Sequence, residues 1–478
     1  MQTNQAKSKF NWPDFLKRIA VIAIPVAMQN MLTTTGSMVD TMMIAAIGQT
    51  EVGAVGLCAQ FSSLLFSGFW GFVGGGMLFM SQYWGAKDDD GINRSYGLTL
   101  TCMMTVALTF AVFATCFPEL VMRLYTDKES IREIGVSYLK IVGFGYPFMV
   151  LSMAMAALLR STERVRIPLY GSTIAVAVNI FLNWVLIFGH LGAPAMGVRG
   201  AAIATVSAQI VSVLVNGFFA LRNGHPYIFA FSRHFRWNSE FIGTYFKKCF
   251  PILMNEILIG IGNMIINVVL GRQPEEAIAA LAVFRTLEGL VIGFFAGFSN
   301  ASSILVGKSV GMGKLEVAYQ RAWRLIYLCQ VVIGIVGVLL IGLHTPILTI
   351  MGMSGKSFDI AFGFICIYAV ASFIRMGNWT QNDTFRAAGD AFYGTVLEIT
   401  FMWIMIIPAV WLSGMVFHLP TLFVFACCYI DEPIRYVLMQ IHTYSGKWIK
   451  PVTEEGKAAL KEFSVRKKWG RRQWSISK

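Results

Sequence analysis

The chain has 478 residues, 56% hydrophobic and 14% charged, with 39 Lys and Arg against 26 Asp and Glu for a net charge of +13. Soluble domains carry about 25% charged residues, and so few charges cannot cover 37 Phe, 25 Met and 12 Trp. This excludes a string of soluble domains, a disordered chain and a disulfide-rich secreted fold, and leaves a polytopic membrane protein.

The first 18 residues are polar and carry Lys7, Lys9, Lys17 and Arg18. The apolar run behind them is longer than a signal-peptide core and lacks a small-residue cleavage site, which predicts an uncleaved first span. Apolar stretches fall at about 19–47, 53–83, 97–121, 134–158, 168–189, 200–221, 249–271, 277–305, 325–343, 359–384, 391–413 and 418–442. A helical span needs about 20 such residues, and the short alternating segments of a β-barrel are absent. The expected fold is therefore all-α, with twelve transmembrane helices. The two tails and the loops on their side hold 29 Lys and Arg, the opposite side holds 7, and the rest lie within spans. By the positive-inside rule both termini are expected in the cytoplasm.

All eight cysteines lie in or beside apolar spans and none forms C-x-x-C, so neither disulfides nor a zinc site is expected. No nucleic-acid-binding pattern accompanies the basic balance, and no glycine cluster is followed by a phosphate-binding lysine. The segment Ser445–Lys478 mixes Trp448, Phe463, Trp469 and Trp474 with ten basic residues. That composition suits a helix lying on anionic headgroups, or else a solvated tail.

One internal offset recurs. Pro25 and Pro251, Gly36 and Gly262, Ala54 and Ala280, Gly85 and Gly311, and Arg160 and Arg386 are each 226 residues apart, as are Phe69, Gly71 and Phe72 from Phe295, Gly297 and Phe298. The expected organisation is an N-tail (1–18), a first six-helix lobe (19–221), a basic linker (222–244), a second lobe (245–442) and a basic tail (443–478). An even number of spans per copy inserts both copies the same way up, as two bundles related by a pseudo-twofold axis along the membrane normal. Parallel repeats of this kind are a transporter architecture with its site between the halves; a duplicated scaffold without transport is the alternative.

A carboxylate at mid-bilayer costs about 2.5–3.5 kcal/mol on insertion scales, so each one needs a reason. Asn30, Thr33, Ser37 and Asp40 step by three and four, which places them on one face of the first span. Ser172, Asn179 and Asn183 repeat the pattern in span five, and Glu256, Gly260, Asn263 and Asn267 in span seven. Asp40 is a candidate protonatable or Na⁺-binding carboxylate, the competing reading being a helix–helix hydrogen bond; Glu256 stands in the same position. Arg285 and Glu288 are spaced to pair with each other. Asp431, Glu432 and Arg435 neutralise one another, and nothing in the sequence places Glu398. Pro25 and Pro251 sit early in matching spans, where kinks would give gating helices a place to bend.

The stretches VDTMMIAAIGQTEVGAVGL, SQYWGAKD, LLRSTERVRIP, NIFLNWVLIFG and GVRGAAIAT, with VGKSVGMGK and FRAAGD in the second half, resemble the multidrug and toxic compound extrusion (MATE) transporters. The resemblance runs from about residue 15 to 445. It implies a V-shaped pair of six-helix bundles exporting cationic, amphipathic compounds in exchange for Na⁺ or H⁺. By motif, Asp40 matches the family's first-helix aspartate, Asn179 the asparagine that joins it and Thr205 a threonine from span six, with Na⁺ a candidate ligand at these three. Asn183 falls where one branch has a second aspartate, which leaves Asp40 as the sole acid of this site. Glu256 matches a span-seven glutamate of another branch. That branch's span-ten acid has no match; Arg375 is near its place and Asp383 a turn or two away. Glu256, Glu288 and Asp383 are the candidate cation or substrate residues of the second lobe.

The expected function is a monomeric secondary antiporter of the bacterial inner membrane with amphipathic small molecules as substrates, no cofactor beyond its coupling ion (H⁺ or Na⁺), the bilayer as its surroundings and no nucleic-acid partner. A lipid-linked oligosaccharide flippase of the same superfamily would require a strongly cationic cleft. A membrane enzyme would require a His, Cys or Asp cluster at one membrane face, and none is visible.

Overall fold

The computed structural model describes residues 12–463, so Lys7, Lys9, Trp469 and Trp474 lie outside the described residues. Among the described residues eleven helices are long and apolar enough to cross a membrane, because a chain in hydrocarbon must satisfy its backbone within each segment. They are α1 (Trp12–Ala45), α2 (Gln49–Ala86), α3 (Asp89–Cys116), α4 (Glu129–Ser161), α5 (Arg166–Phe188) and α6 (Val198–Arg222), then α7 (Ser239–Leu270), α8 (Glu275–Gly311), α9 (Leu315–Gly342), α10 (Gly355–Ala387) and α11 (Ala391–Val416). Side-chain caps mark two of the starts: Asp88 accepts from Gly91 N–H before α3, and Asn238 from Phe241 N–H before α7, both at 2.8 Å.

The twelfth predicted span is not one helix. It divides into α12 (Thr421–Cys427) and α13 (Glu432–Ser445). Pro433, in the first turn of α13, lacks an N–H and its ring would clash with the carbonyl of the preceding turn. The break is buried with Asp431 inside it, and Arg435 reaches back to Glu432 at 2.8 Å and Asp431 at 3.5 Å. In α11, π-helical turns at Met402–Ile406 and Leu412–Val416 flank Pro408, where the missing donor upsets the regular ladder.

The two halves pack by the same rule at the same offset. A Cβ on Gly71 would collide with the backbone of Leu253, and one on Gly297 with Ala23 and Ala27; Ala27 and Leu253 are themselves repeat counterparts. Likewise Gly85 lies against the carbonyl of Lys308 and Gly311 against that of Gln82, the counterpart of Lys308. These contacts seat α1 on α8, and α2 on α7 and α8. They lie toward the end where α1 begins and α13 finishes, called here the basic end. Farther along, Gly36 packs on Val176 and Gly262 on Met402, each within its own lobe. The lobes are thus sealed at the basic end and part toward the other.

The segment after α13 crosses that seal. Lys450 N–H donates to Ala388 O, Val452 N–H to Gln82 Oε1 and Thr453 Oγ1 to Gly311 O, at 2.8, 2.8 and 2.9 Å. Trp448 is fully buried beneath it and donates to Thr443 O. That indole is a plug between helices, not a side chain lying on headgroups; helix resumes only at residues 454–463.

Candidate functional site

Two adjoining cavities occupy the space between the lobes. The first, about 440 Å³, lies in the N-terminal lobe and is lined by the polar stripes of α1 and α5, with Asp40, Asn179 and Thr205 among its walls. The second, about 320 Å³, lies toward the C-terminal lobe and includes Glu256, Asp383, Arg386 and Glu398. Asn30, Trp70 and Arg160 line both, so the two form one chamber.

At Asp40 the polar stripe of α1 meets that of α5. Asn183, fully buried behind the cavity wall, donates through Nδ2 to Asp40 Oδ1 at 2.5 Å and to Asn179 Oδ1 at 3.3 Å. Its own Oδ1 is buried without a partner. Tyr138, which the sequence did not single out, sits beside Thr205 and within electrostatic range of Asp40. The walls therefore offer carboxylate, amide and hydroxyl oxygens, the donor set of hard cations.

The C-terminal site is an ion-pair network. Arg386 lies 3.6 Å from Glu256, 3.8 Å from Asp383 and 3.9 Å from Glu398. Asn255 and Asn382 donate to Glu398 at 3.1 and 2.9 Å, and Ser299 donates to Asp383. Glu398, which the sequence left unplaced, is the joint between this cluster and Arg435, 3.9 Å away. From Arg435 the contacts pass to Glu432, to Arg375 at 3.9 Å, to Glu288 at 2.9 Å and to Arg285 at 2.6 Å. Glu288 is 3% exposed and held by two arginines; the structure places it apart from the chamber. Asp383 and Glu256 are brought together around Arg386, whereas Arg375 is directed to Glu288 and Glu432. In this network six carboxylates face four guanidinium groups, an excess of acid at the chamber floor.

Pro25 lies within α1 and Pro251 within α7. Pro251 also borders a lateral groove with Lys247, Lys248 and Lys450.

A polar scaffold that sequence reasoning missed connects the two floors. Gln29 Nε2 donates to Ser172 Oγ at 2.8 Å, and Arg160 Nη2 donates to Gln29 Oε1 at 2.6 Å. The counterparts 226 residues on are Asn255, Glu398 and Arg386, the trio at the centre of the other lobe. Sliding polar residues, and not only glycines and prolines, by the repeat offset would have found both.

The MatE family model matches residues 25–185 and again 251–412, the second match beginning at the repeat counterpart of Pro25. The chain is 26% identical over 408 residues to the probable multidrug resistance protein YoeA of Bacillus subtilis, covering 84% of this chain and 87% of that one. It is 23% identical over 452 residues to the probable multidrug resistance protein NorM of Thermotoga maritima, covering 92% and 94%. Among solved structures, a MATE crystal structure in complex with MaL6 superposes with a TM-score of 0.82 at 16% identity, over 91% of this chain and 97% of that one. The outward-facing conformation of a multidrug resistance MATE transporter of the MOP superfamily gives 0.81 at 16% identity, with the same coverage. With the family pattern present in both halves and the two-bundle fold in common, the chain belongs to the MatE family of membrane transporters and is not an enzyme.

Proposed function

We propose that the protein is a secondary antiporter that expels amphipathic, cationic organic compounds across a bacterial inner membrane, with its basic end in the cytoplasm, in exchange for entering H⁺ or Na⁺. The observation that carries this is Asp40, a carboxylate on the wall of an open intramembrane cavity with no basic partner, held only by Asn183. Such a group is tolerated where a cation visits it. A proton or Na⁺ competes for the same oxygens, and the ion drives the cycle because it binds the two lobe arrangements unequally. The names of YoeA, NorM and the multidrug export protein MepA of Staphylococcus saprophyticus support the same substrate class.

The chamber lining holds two arginines, Arg160 and Arg386, against four carboxylates, Asp40, Glu256, Asp383 and Glu398. That balance suits a cationic cargo better than the pyrophosphate of a lipid-linked oligosaccharide. The test is reconstitution in liposomes with a pH or Na⁺ gradient imposed separately while a fluorescent cationic dye is followed. Asp40→Asn is expected to abolish gradient-driven dye movement with protein yield intact. Unchanged movement in that variant rejects the assignment.

A further inference from the structure

The repeat supplies an internal control for each buried charge. In the second half Arg386 is ringed by Glu256, Asp383 and Glu398 at 3.6–3.9 Å. The equivalent positions around Arg160 are Asn30, Ala157 and Ser172, all neutral. Each arginine is the penultimate residue of its helix, α4 or α10. The same guanidinium is thus built into the same place twice, once with three counter-charges and once with none.

No ion pair to Arg160 is present among the described residues. Glu163, three residues on, is taken by Lys308 at 2.5 Å, and Asp40 lies three helical turns along α1 from Gln29. The side-chain partner of Arg160 is the neutral Gln29, and its Nε is buried without any partner. A guanidinium withdrawn from water needs a counter-charge, and its planar fork fits a carboxylate in particular. Gln29 fixes the surroundings: its carbonyl accepts from Arg160 and its amide donates to Ser172 Oγ, so the serine proton is available to a further acceptor. Arg160 lines both cavities, so a ligand held there reaches the acid-rich floor of the other lobe.

We propose that Arg160, with Gln29 and Ser172, is an anion subsite that receives the carboxylate of a zwitterionic amphipathic substrate whose cationic end lies toward Glu256, Asp383 and Glu398. This rests on the efflux reading above and narrows its substrate class. The chamber is bipolar, with an uncompensated cation in one lobe and surplus carboxylate in the other, and a molecule carrying both charges satisfies both ends at once.

The test compares rhodamine B, a xanthylium cation with a free benzoate, with its ethyl ester, the same cation with that carboxylate masked. Binding to the purified full chain in detergent is read by fluorescence anisotropy, as the ratio of the two affinities. The unmodified protein is expected to favour rhodamine B about tenfold, and Arg160→Gln to bring the ratio to about one. Ser172→Glu, which installs the acid the other half has at Glu398, is expected to do the same without removing the arginine, and serves if Arg160→Gln fails to fold. A ratio of one in the unmodified protein, or a ratio that neither substitution changes, overturns the subsite alone. Binding of neither dye overturns the efflux reading and the subsite with it. A preference that appears only when chloride is replaced by gluconate makes chloride the resident anion and overturns the substrate assignment.

Discussion

Asn183 donates to Asp40 across a gap of 143 residues, and the same separation joins Ser172 to Gln29 and Glu398 to Asn255. The first and fifth helices of each lobe are therefore tied in one register. In the first lobe that tie ends on a carboxylate inside the cavity.

Asn183→Leu keeps the volume of the buried side chain and removes the hydrogen bond that orients Asp40. Bonds to charged groups contribute about 1.5–3 kcal/mol, so ion-driven dye efflux in vesicles is expected to fall at least about tenfold while the protein still folds. Full activity in this variant would show that Asp40 needs no positioning partner.

Glu288 and Glu256 separate structure from transport. Glu288→Gln leaves Arg285 and Arg375 short of a counter-charge in a buried setting, and breaking such pairs costs about 3–5 kcal/mol. A clear drop in unfolding temperature is expected. Glu256, 26% exposed on the chamber wall, is expected to alter dye or ion affinity when changed to Gln, with a smaller thermal effect. Equal thermal losses would contradict this division.

Gly311→Val drives a side chain into the backbone of Gln82, whereas the same change at Gly53, with nothing within 4 Å, meets open space. Both pay a similar helix-propensity cost. Melting curves in detergent are expected to show Gly311→Val well below Gly53→Val. Coincident curves would mean the lobes are not sealed through this contact.

His225, in the linker between the lobes, is 5% exposed, and burial followed by the charge of Arg164 pushes it down to about 4. An unfolded histidine takes up its proton near pH 6.5. The folded form therefore loses stability as pH falls from about 6.5 toward 4. The unfolding temperature at pH 5 is expected to be below that at pH 7.5, and His225→Gln to narrow the difference. An unaltered difference would place the acid sensitivity elsewhere.

Spans, duplication and the polar stripe of α1 were legible in the residues, because bilayer thickness and helical periodicity leave few solutions for such a chain. The break before Glu432 was not: an apolar stretch with Pro433 reads as a kinked span until Arg435 and Arg375 are seen to hold the acids there. Glu398 was equally opaque, since its partners Asn255, Asn382, Arg386 and Arg435 come from three other helices. Periodicity reports which face of a helix is polar, not which distant charge it will meet.

The crossing segment after α13 has a mechanical consequence. Val452 is fastened to Gln82 in one lobe and Thr453 to Gly311 in the other, so adjacent residues act as a rivet through the seam. Prising the bundles apart at that end must shear the rivet or lift it whole, together with the indole of Trp448 seated below. Resistance of this kind biases the resting molecule toward the arrangement described here, and whatever drives the return stroke has to overcome it on every turnover.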